Sequence, residues 1–217
     1  MKLSIVTIGQ SPREDFYEFF PENTTFEIEQ IGVLDDYENS LPKITTDDIL
    51  VSKLKNGVQV KMDKDFVVDE VKKIVDELNK GQADLILLAC TGTFEEIPSS
   101  IPIVYPDKLV GNVMQSIFKN HKALGILVPD KIQKNHIKNK WDENGIETEI
   151  FELSPYQYDE KDFNNVCKKL NDSDVDYVVC DCMGYNPEFK NKLIEKTNKK
   201  VILSNEIVFN NIFSILS

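Results

Sequence analysis

The sequence predicts an α/β protein made of two similar lobes, each with a mostly parallel sheet flanked by helices, and a β-hairpin inserted in the first lobe. Short apolar runs alternate with amphipathic segments along the chain, which is the pattern of strands followed by covering helices. A cysteine-containing segment also occurs twice, because Cys90 and the glycine two residues after it return at Cys182, at an offset of 92 residues. A chain of 217 residues is long enough for two such units.

Both repeated cysteines lie at the end of a run of strand-forming residues, over 83–90 and over 176–182. Buried parallel strands appear as continuous apolar runs, and open α/β sheets keep their chemistry at the carboxyl ends of the strands. A single cysteine there is most often a core residue. The repetition favours a functional role for Cys90 and Cys182, which we expect to face each other across a cleft between the lobes. We interpret Cys167 and Cys180 as core residues without a functional role.

Composition limits the partners. The formal net charge is −12, from 37 acidic and 25 basic residues, and it would repel a nucleic acid backbone or an anionic membrane surface. Apolar runs stay well below the roughly 20 residues that a membrane span needs, so we expect a cytoplasmic protein. The four cysteines do not form a disulfide framework, and the two histidines lack the spacing of metal ligands. We therefore expect reduced thiols and no metal.

Patterning in the first half predicts strands at 2–8, 26–34, 83–90 and 101–104, a hairpin over 49–62, and helices at 65–78 and 109–118. Another helix is expected to begin at Ser11, because Glu14 completes a capping box and Pro12 occupies the first helical position. A helix start is also expected beyond Cys90, where Thr93 and Glu96 fit the same motif. The first lobe is assigned to residues 1–107, and residues 204–217 are expected to pack back on it.

Arg13 is the only arginine in the chain. The predicted helix start places this permanently charged, fork-shaped donor at an end that already favours anions, so a carboxylate ligand is one interpretation. An ion pair with Glu14 or Asp15 is the other.

The second lobe is assigned to residues 108–203, with strands at 122–128, 147–153, 176–182 and 200–203. Helices are expected from Asp130 to Asn144, at 159–170, from Asn186 onward and at 205–216. Asp130 and Asn186 are the expected caps, and Gln133 is the expected capping partner of Asp130. The mirrored order of elements places the predicted cleft, and the thiols, between the two lobes.

Five ordered motifs that span nearly the whole chain resemble those of the AroM family: Thr7-Ile8-Gly9-Gln10-Ser11-Pro12-Arg13, Cys90-Thr91-Gly92-Thr93-Phe94, Val128-Pro129 with Gln133, Ser154-Pro155-Tyr156, and Asp181-Cys182-Met183-Gly184-Tyr185. That family is similar to the aspartate/glutamate racemases, in which one cysteine per lobe faces the substrate and no pyridoxal phosphate is used. The chain departs from the racemases in carrying Gly9-Gln10-Ser11 instead of Asp-Ser-Gly, and in lacking the histidine that often follows the second cysteine.

The resemblance implies a cofactor-independent racemase or isomerase that acts on a small carboxylate, an amino acid or a related acid, with Cys90 and Cys182 as the acid/base pair. It places the following residues at the substrate: Gly9, Gln10, Ser11, Arg13, Thr91, Gly92, Thr93, Pro129, Gln133, Ser154, Tyr156, Asp181, Met183, Gly184 and Tyr185. A helix start beyond each cysteine would lower a thiol pKa. A carboxylate-binding protein without turnover and a decarboxylase or cis-trans isomerase that uses one cysteine stay open as alternatives. The sequence does not fix the oligomeric state, and a homodimer is one possibility.

Overall fold

The computed structural model describes residues 1–37, 41, 43–119, 121 and 123–216. The strands are β1 (Lys2–Thr7), β2 (Glu27–Gly32), β3 (Ile49–Lys53), β4 (Gln59–Asp63), β5 (Leu85–Ala89), β6 (Ile103–Val104), β7 (Leu124–Val128), β8 (Thr148–Glu152), β9 (Tyr177–Cys180) and β10 (Lys200–Leu203). The α-helices are α1 (Lys64–Leu78), α2 (Pro106–Phe118), α3 (Lys134–Glu143), α4 (Glu160–Asn171), α5 (Pro187–Thr197) and α6 (Ser204–Leu216). Short 3₁₀ helices cover Glu14–Phe19 and Lys131–Gln133.

The two main sheets have the same strand order, which confirms the predicted pair of pseudo-symmetric lobes. In the first, the order is β2-β1-β5-β6, and in the second β8-β7-β9-β10. All neighbouring pairs in both sheets are parallel. β7 therefore corresponds to β1 and β9 to β5, so each repeated cysteine follows the equivalent inner strand.

One hydrophobic core joins the lobes. It brings Ile5 of β1 and Leu87 of β5 together with Ile126 of β7 and Val179 of β9, and adds residues of α2, α3 and α6. The hairpin β3-β4 and α1 pack on the other face of the first sheet, and α4 and α5 on the other face of the second. Both sheets are thus covered on both faces, which explains why β5 and β7 are buried throughout.

Helix α6 packs against the 3₁₀ helix of the first lobe. Phe209 stacks on Phe19 with ring centroids 5.6 Å apart, and Phe213 lies 5.5 Å from Phe20. The end of this predicted segment, Ser217, lies outside the described residues, as does Lys122 at the start of the predicted strand 122–128. The lobe boundary at residues 107 and 108 stays a prediction. No described helix is both long enough and apolar enough to cross a membrane.

The helix predicted from Ser11 is wrong. Ser11 does not cap a helix, because its N–H and its hydroxyl donate to the two oxygens of Asp35 at 2.7 and 2.6 Å. The Ser11–Pro12 peptide bond is cis, and the 3₁₀ helix begins only at Glu14. The capping-box pattern failed here because Ser11 found a partner outside the local sequence.

The helix start predicted beyond Cys90 is also wrong. Residues 90–102 contain no helix, and the next helix, α2, begins at Pro106. Pro98 and Pro102 disfavour helical geometry in the residues before them. The segment is held instead by distant side chains, since the Tyr105 hydroxyl accepts a bond from the Ile97 N–H at 2.8 Å.

Other local predictions are confirmed. The hairpin turns at Gly57, which has a φ of 83°, and α3 is followed by Gly145 with a φ of 68°. Asn186 caps α5 by accepting from the N–H of Phe189 at 2.9 Å. Asp130 also acts as a cap, accepting from the N–H of Ile132 at 3.0 Å. The prediction that Gln133 bonds back to Asp130 is wrong, because its side chain donates to the carbonyl oxygen of Ile49 at 3.3 Å. Glycine at positive φ and side-chain caps depend on local sequence, which explains why these ends were predictable.

Candidate active site

Cys90 and Cys182 line the same cavity, which has a volume of about 260 Å³. Cys90 directly follows β5, and Cys182 comes two residues after the end of β9, so one thiol comes from each lobe. Each cysteine is 8% exposed. The cavity is smaller than the roughly 300–1,000 Å³ of pockets for drug-sized molecules, so its size suits a small ligand.

The segments that carry the two thiols are bonded to each other. The hydroxyl of Thr91, next to Cys90, donates to the carbonyl oxygen of Asp181, next to Cys182, at 3.1 Å. The Lys140 ammonium group donates to the Thr91 carbonyl oxygen at 3.0 Å and to the Asp181 carboxylate at 2.5 Å. The Trp141 indole N–H donates to the same carboxylate oxygen at 2.9 Å. These bonds hold the first-lobe thiol loop against the second-lobe thiol loop.

Arg13 reaches the cavity as a buried residue. It is only 2% exposed, and its Nε and Nη2 donate to the carboxylate of Asp15 at 2.9 and 2.6 Å. Nη2 also lies 3.4 Å from the carbonyl oxygen of Met183, and the guanidinium carbon lies 4.5 Å from the ring centre of Phe16. Arg13 thus forms the expected ion pair with Asp15 and also lines the cavity. These bonds use Nε and Nη2 and do not involve Nη1.

Burial favours the protonated form of both cavity thiols. Burial raises the pKa of Cys90 to about 12, opposed by the N–H of Gly92. Burial also raises the pKa of Cys182, opposed by the hydroxyl of Tyr156, the N–H of Gly184 and the charge of Arg13. The expectation that a helix start beyond each cysteine lowers a pKa is therefore wrong: no helix begins after Cys90, and desolvation dominates at both sulfurs.

Most of the substrate residues expected from the sequence lie at this cavity. Its wall contains Arg13, Thr91, Gly92, Thr93, Pro129, Gln133, Tyr156, Asp181 and Met183. The other expected substrate residues do not line the cavity: Gly9, Gln10, Ser11, Ser154, Gly184 and Tyr185. Several residues of this second group hold neighbouring segments in place.

The supporting contacts of that second group are specific. Gln10 accepts from the N–H of Lys55 at 2.9 Å and so fixes the hairpin turn. The Ser154 hydroxyl bonds the side chain of Gln59, which ties the second lobe to the hairpin. The Tyr185 hydroxyl donates to the carbonyl oxygen of Leu153 at 2.6 Å.

Gly9 allows the hairpin to approach the end of β1. A Cβ at this position would overlap the Ser52 hydroxyl and the carbonyl oxygen of Lys53. We expect Gly9→Ala to lower the free energy of unfolding by about 1–3 kcal/mol through overpacking, measured by urea denaturation. Gly81→Ala is the matched control, because its Cβ would meet nothing nearer than 3.4 Å, and a change within about 0.5 kcal/mol is expected. Equal losses in both variants would contradict this.

Several cavity residues were missed by the sequence analysis. They are Asp48, Ser52, Lys64, His136, Lys140 and Glu143. The hairpin was predicted, but nothing in its sequence showed that it forms a wall of the site. Lys140 is one lysine among many in the chain, and only its contacts distinguish it.

Three buried polar atoms at the cavity have no hydrogen-bond partner among the described residues. They are Ser52 Oγ, Gln133 Oε1 and Asp181 Oδ1. Gln133 donates through Nε2 to the carbonyl oxygen of Ile49 at 3.3 Å, which leaves Oε1 as an acceptor. Because unpaired buried acceptors are unfavourable, Gln133 and Asp181 are suited to a ligand that presents N–H or O–H groups.

Two pseudo-symmetric parallel α/β lobes, with one thiol from each at a shared cavity, define a protein with the aspartate/glutamate racemase-like fold. The family model described as "AroM protein" matches residues 3–215, and the chain belongs to the AroM family. A comparison with curated proteins finds no significant match.

Similar solved structures have the same fold at low sequence identity. The chain is similar to arylmalonate decarboxylase (TM-score 0.64, 11% identity, covering 100% of this chain and 93% of the other). It is similar to glutamate racemase from Aquifex pyrophilus (TM-score 0.63, 15% identity, 100% and 84%). It is also similar to the maleate isomerase Iso from Pseudomonas putida (TM-score 0.64, 12% identity, 99% and 92%). At these identities the likeness shows the fold.

Proposed function

We propose that this protein is a cofactor-independent racemase or isomerase that acts on a small carboxylate by proton transfer at Cys90 and Cys182. The observation that carries the proposal is that these two thiols, one from each lobe, line one small cavity. The racemase, isomerase and decarboxylase of the same fold support this class of reaction.

The reaction needs one thiolate and one thiol. The thiolate removes the proton from the carbon next to the carboxylate, and the C–H electron pair moves into an enolate. The opposite thiol then donates its proton to the other face of that carbon, so the centre is inverted and the two sulfurs exchange protonation states. Cys182 is the better initial base, because Tyr156, Gly184 and Arg13 oppose the rise of its pKa. Cys90, with a pKa of about 12, is the initial acid.

The developing enolate needs hydrogen-bond donors in fixed positions. Arg13 lines the cavity, and its hydrogen bonds to Asp15 and Met183 use Nε and Nη2 rather than Nη1. Lys140 also lines the cavity, and its ammonium group donates to the Thr91 carbonyl oxygen and the Asp181 carboxylate. Both cations are buried, so their fields are weakly screened. They are the donors that we assign to the substrate carboxylate.

The cavity favours an amino acid or hydroxy acid over a dicarboxylic acid. Its wall carries the cations Arg13, Lys64 and Lys140 and the anions Asp48, Glu143 and Asp181. Lys64 pairs with Asp48 at 3.2 Å and Lys140 with Asp181 at 2.5 Å. With Arg13 and Lys140 assigned to the first carboxylate, a second carboxylate would find only Lys64 as a further lysine or arginine in the wall. Lys64 is already paired with Asp48. An ammonium or hydroxyl group would instead satisfy the free acceptors of Gln133 and Asp181.

The test is solvent deuterium exchange with a panel of small acids. The panel contains D- and L-amino acids, 2-hydroxy acids and dicarboxylic acids, and incorporation at the α position is measured by NMR in D₂O. We expect exchange with an amino or hydroxy acid, together with thermal stabilisation of the protein by the same compound. Absence of exchange across the whole panel would contradict the proposed activity. Exchange with dicarboxylic acids alone would contradict the preferred substrate class.

A carboxylate-binding protein without turnover is the second candidate. The observation in its favour is that burial raises the pKa of both cavity thiols, so neither is ionised in the empty site at neutral pH. This candidate predicts thermal stabilisation by an acid that remains when both cysteines are replaced by alanine. The cytoplasmic location and the choice between monomer and homodimer stay predictions.

A further inference from the structure

The hydroxyl of Tyr156 lies 3.6 Å from the sulfur of Cys182. Tyr156 belongs to the loop after β8, whereas Cys182 follows β9, so the pair is formed by tertiary packing. Between a hydroxyl and a thiol either atom can donate, but a thiolate can only accept. Ionisation of Cys182 therefore fixes Tyr156 as the donor of this hydrogen bond.

Three features hold the Tyr156 ring in this position. The Ser154 hydroxyl accepts from the backbone N–H of Tyr156 at 3.0 Å, which fixes the loop. Gly184 leaves room for the ring, since a Cβ there would overlap the Tyr156 ring and hydroxyl. The Arg13 guanidinium carbon lies 5.5 Å from the ring centre, and the Lys53 ammonium group 5.9 Å from it. These contacts explain why the Ser154-Pro155-Tyr156 and Met183-Gly184-Tyr185 segments support the cavity together.

Several other groups influence the pKa of Cys182, but they do so without a side-chain hydrogen bond to its sulfur. They are Arg13, Asp181, Cys90, Cys180, Tyr185 and the N–H of Gly184. The Asp181 carboxylate is bonded to Lys140 and Trp141, and Arg13 is paired with Asp15. The Tyr185 hydroxyl donates to a carbonyl oxygen. Among the described side chains, Tyr156 is thus the only one with a recorded hydrogen bond to this sulfur.

Cys90 has no equivalent partner. Its recorded hydrogen bond comes from the backbone N–H of Gly92, at 3.3 Å, and no described side chain bonds its sulfur. The two thiols of the cavity are therefore similar in burial but different in the donors that face them. This asymmetry distinguishes Cys182 as the cavity thiol with a side-chain donor.

We propose that Tyr156 is a positioning residue for Cys182: its hydroxyl donates to the Cys182 thiolate and so makes Cys182, rather than Cys90, the thiol that ionises first. The consequence for catalysis rests on the proposed function. The hydrogen bond itself does not, and it is measured without any substrate, so failure of one proposal is distinguishable from failure of the other.

The experiment measures alkylation of each thiol by iodoacetamide in the intact protein and in Tyr156→Phe, between pH 7.5 and pH 9.5, by peptide mass spectrometry. Loss of the donor raises the pKa of Cys182, and each pKa unit lowers the thiolate fraction about tenfold. The more basic thiolate is also more nucleophilic, which offsets part of this loss. We expect the alkylation rate of Cys182, relative to that of Cys90 in the same molecule, to fall about three- to tenfold.

Tyr158→Phe is the matched control, because Tyr158 lies in the same loop and has no recorded bond to a thiol; its rate ratio should match that of the unchanged protein. Gly184→Ala is a second variant, which should displace the Tyr156 ring and lower the same ratio by another route. Circular dichroism verifies that each variant is folded. An unchanged or increased Cys182-to-Cys90 ratio in Tyr156→Phe, or an equal fall in Tyr158→Phe, would overturn the proposal.

Discussion

Replacing either Cys90 or Cys182 by alanine is expected to lower the rate of inversion at the α carbon by about 10²–10⁴-fold, the usual contribution of a positioned acid or base. Each reaction direction needs both thiols, one as base and one as acid, so the two single variants should lose activity to a similar extent. Because the thiols act as a unit, the double variant should lose little more than either single one. Interconversion of the two enantiomers of the active acid, followed by chiral chromatography, is the measurement, because exchange of the α proton on one face needs only the base.

Cys167→Ala is the control for this series. Cys167 lies on α4 in the outer core of the second lobe and does not line the cavity. Its replacement should leave the rate of inversion within about twofold while removing buried volume and some stability. A large loss in only one of the cavity variants would indicate chemistry that uses a single thiol. A full rate of inversion in Cys90→Ala, Cys182→Ala and the double variant would exclude thiols from the reaction.

Lys140→Met is expected to lower the free energy of unfolding by about 3–5 kcal/mol, because breaking a buried ion pair leaves an unpaired charge. The Lys140 side chain is 8% exposed and that of Asp181 1%, so the remaining carboxylate would keep only the Trp141 N–H as a donor. The loop that carries Cys90 would also lose its bond at the Thr91 carbonyl oxygen. Urea denaturation, followed by tryptophan fluorescence and circular dichroism, measures the change.

Two further variants separate this effect from a general loss of packing. In Lys140→Met with Asp181→Asn, the buried charge is absent and an amide oxygen can still accept from Trp141, so the double variant should be more stable than Lys140→Met by at least about 1 kcal/mol. Lys138→Met, on the same helix, breaks an exposed pair with Asp142 at 3.0 Å and should change stability by less than about 1 kcal/mol. A double variant no more stable than Lys140→Met would show that packing of the lysine stem, rather than charge, dominates.

The architecture was predictable because its signals are local. Strands such as β5 and β7 are uninterrupted apolar runs, and the ends of α3 and α5 carry a glycine and an asparagine cap. The repetition of a strand followed by a cysteine located both candidate thiols without any knowledge of distant contacts. These features depend on residues within a few positions of one another, so they can be recognised along the chain.

The surroundings of the thiols depend on contacts between distant residues. Thr91 bonds Asp181 across 90 positions and Lys140 bonds Thr91 across 49, and no periodicity relates such residues. Ser11 satisfied the local rule for a helix cap yet bonds Asp35, because a buried donor pairs with the best acceptor that folding brings near it. The sequence by itself determined the two lobes and the strand ends where the thiols lie. Tertiary packing alone decided which charges are neutralised, which acceptors stay free and which thiol receives a hydroxyl, because burial and long-range contacts set those energies.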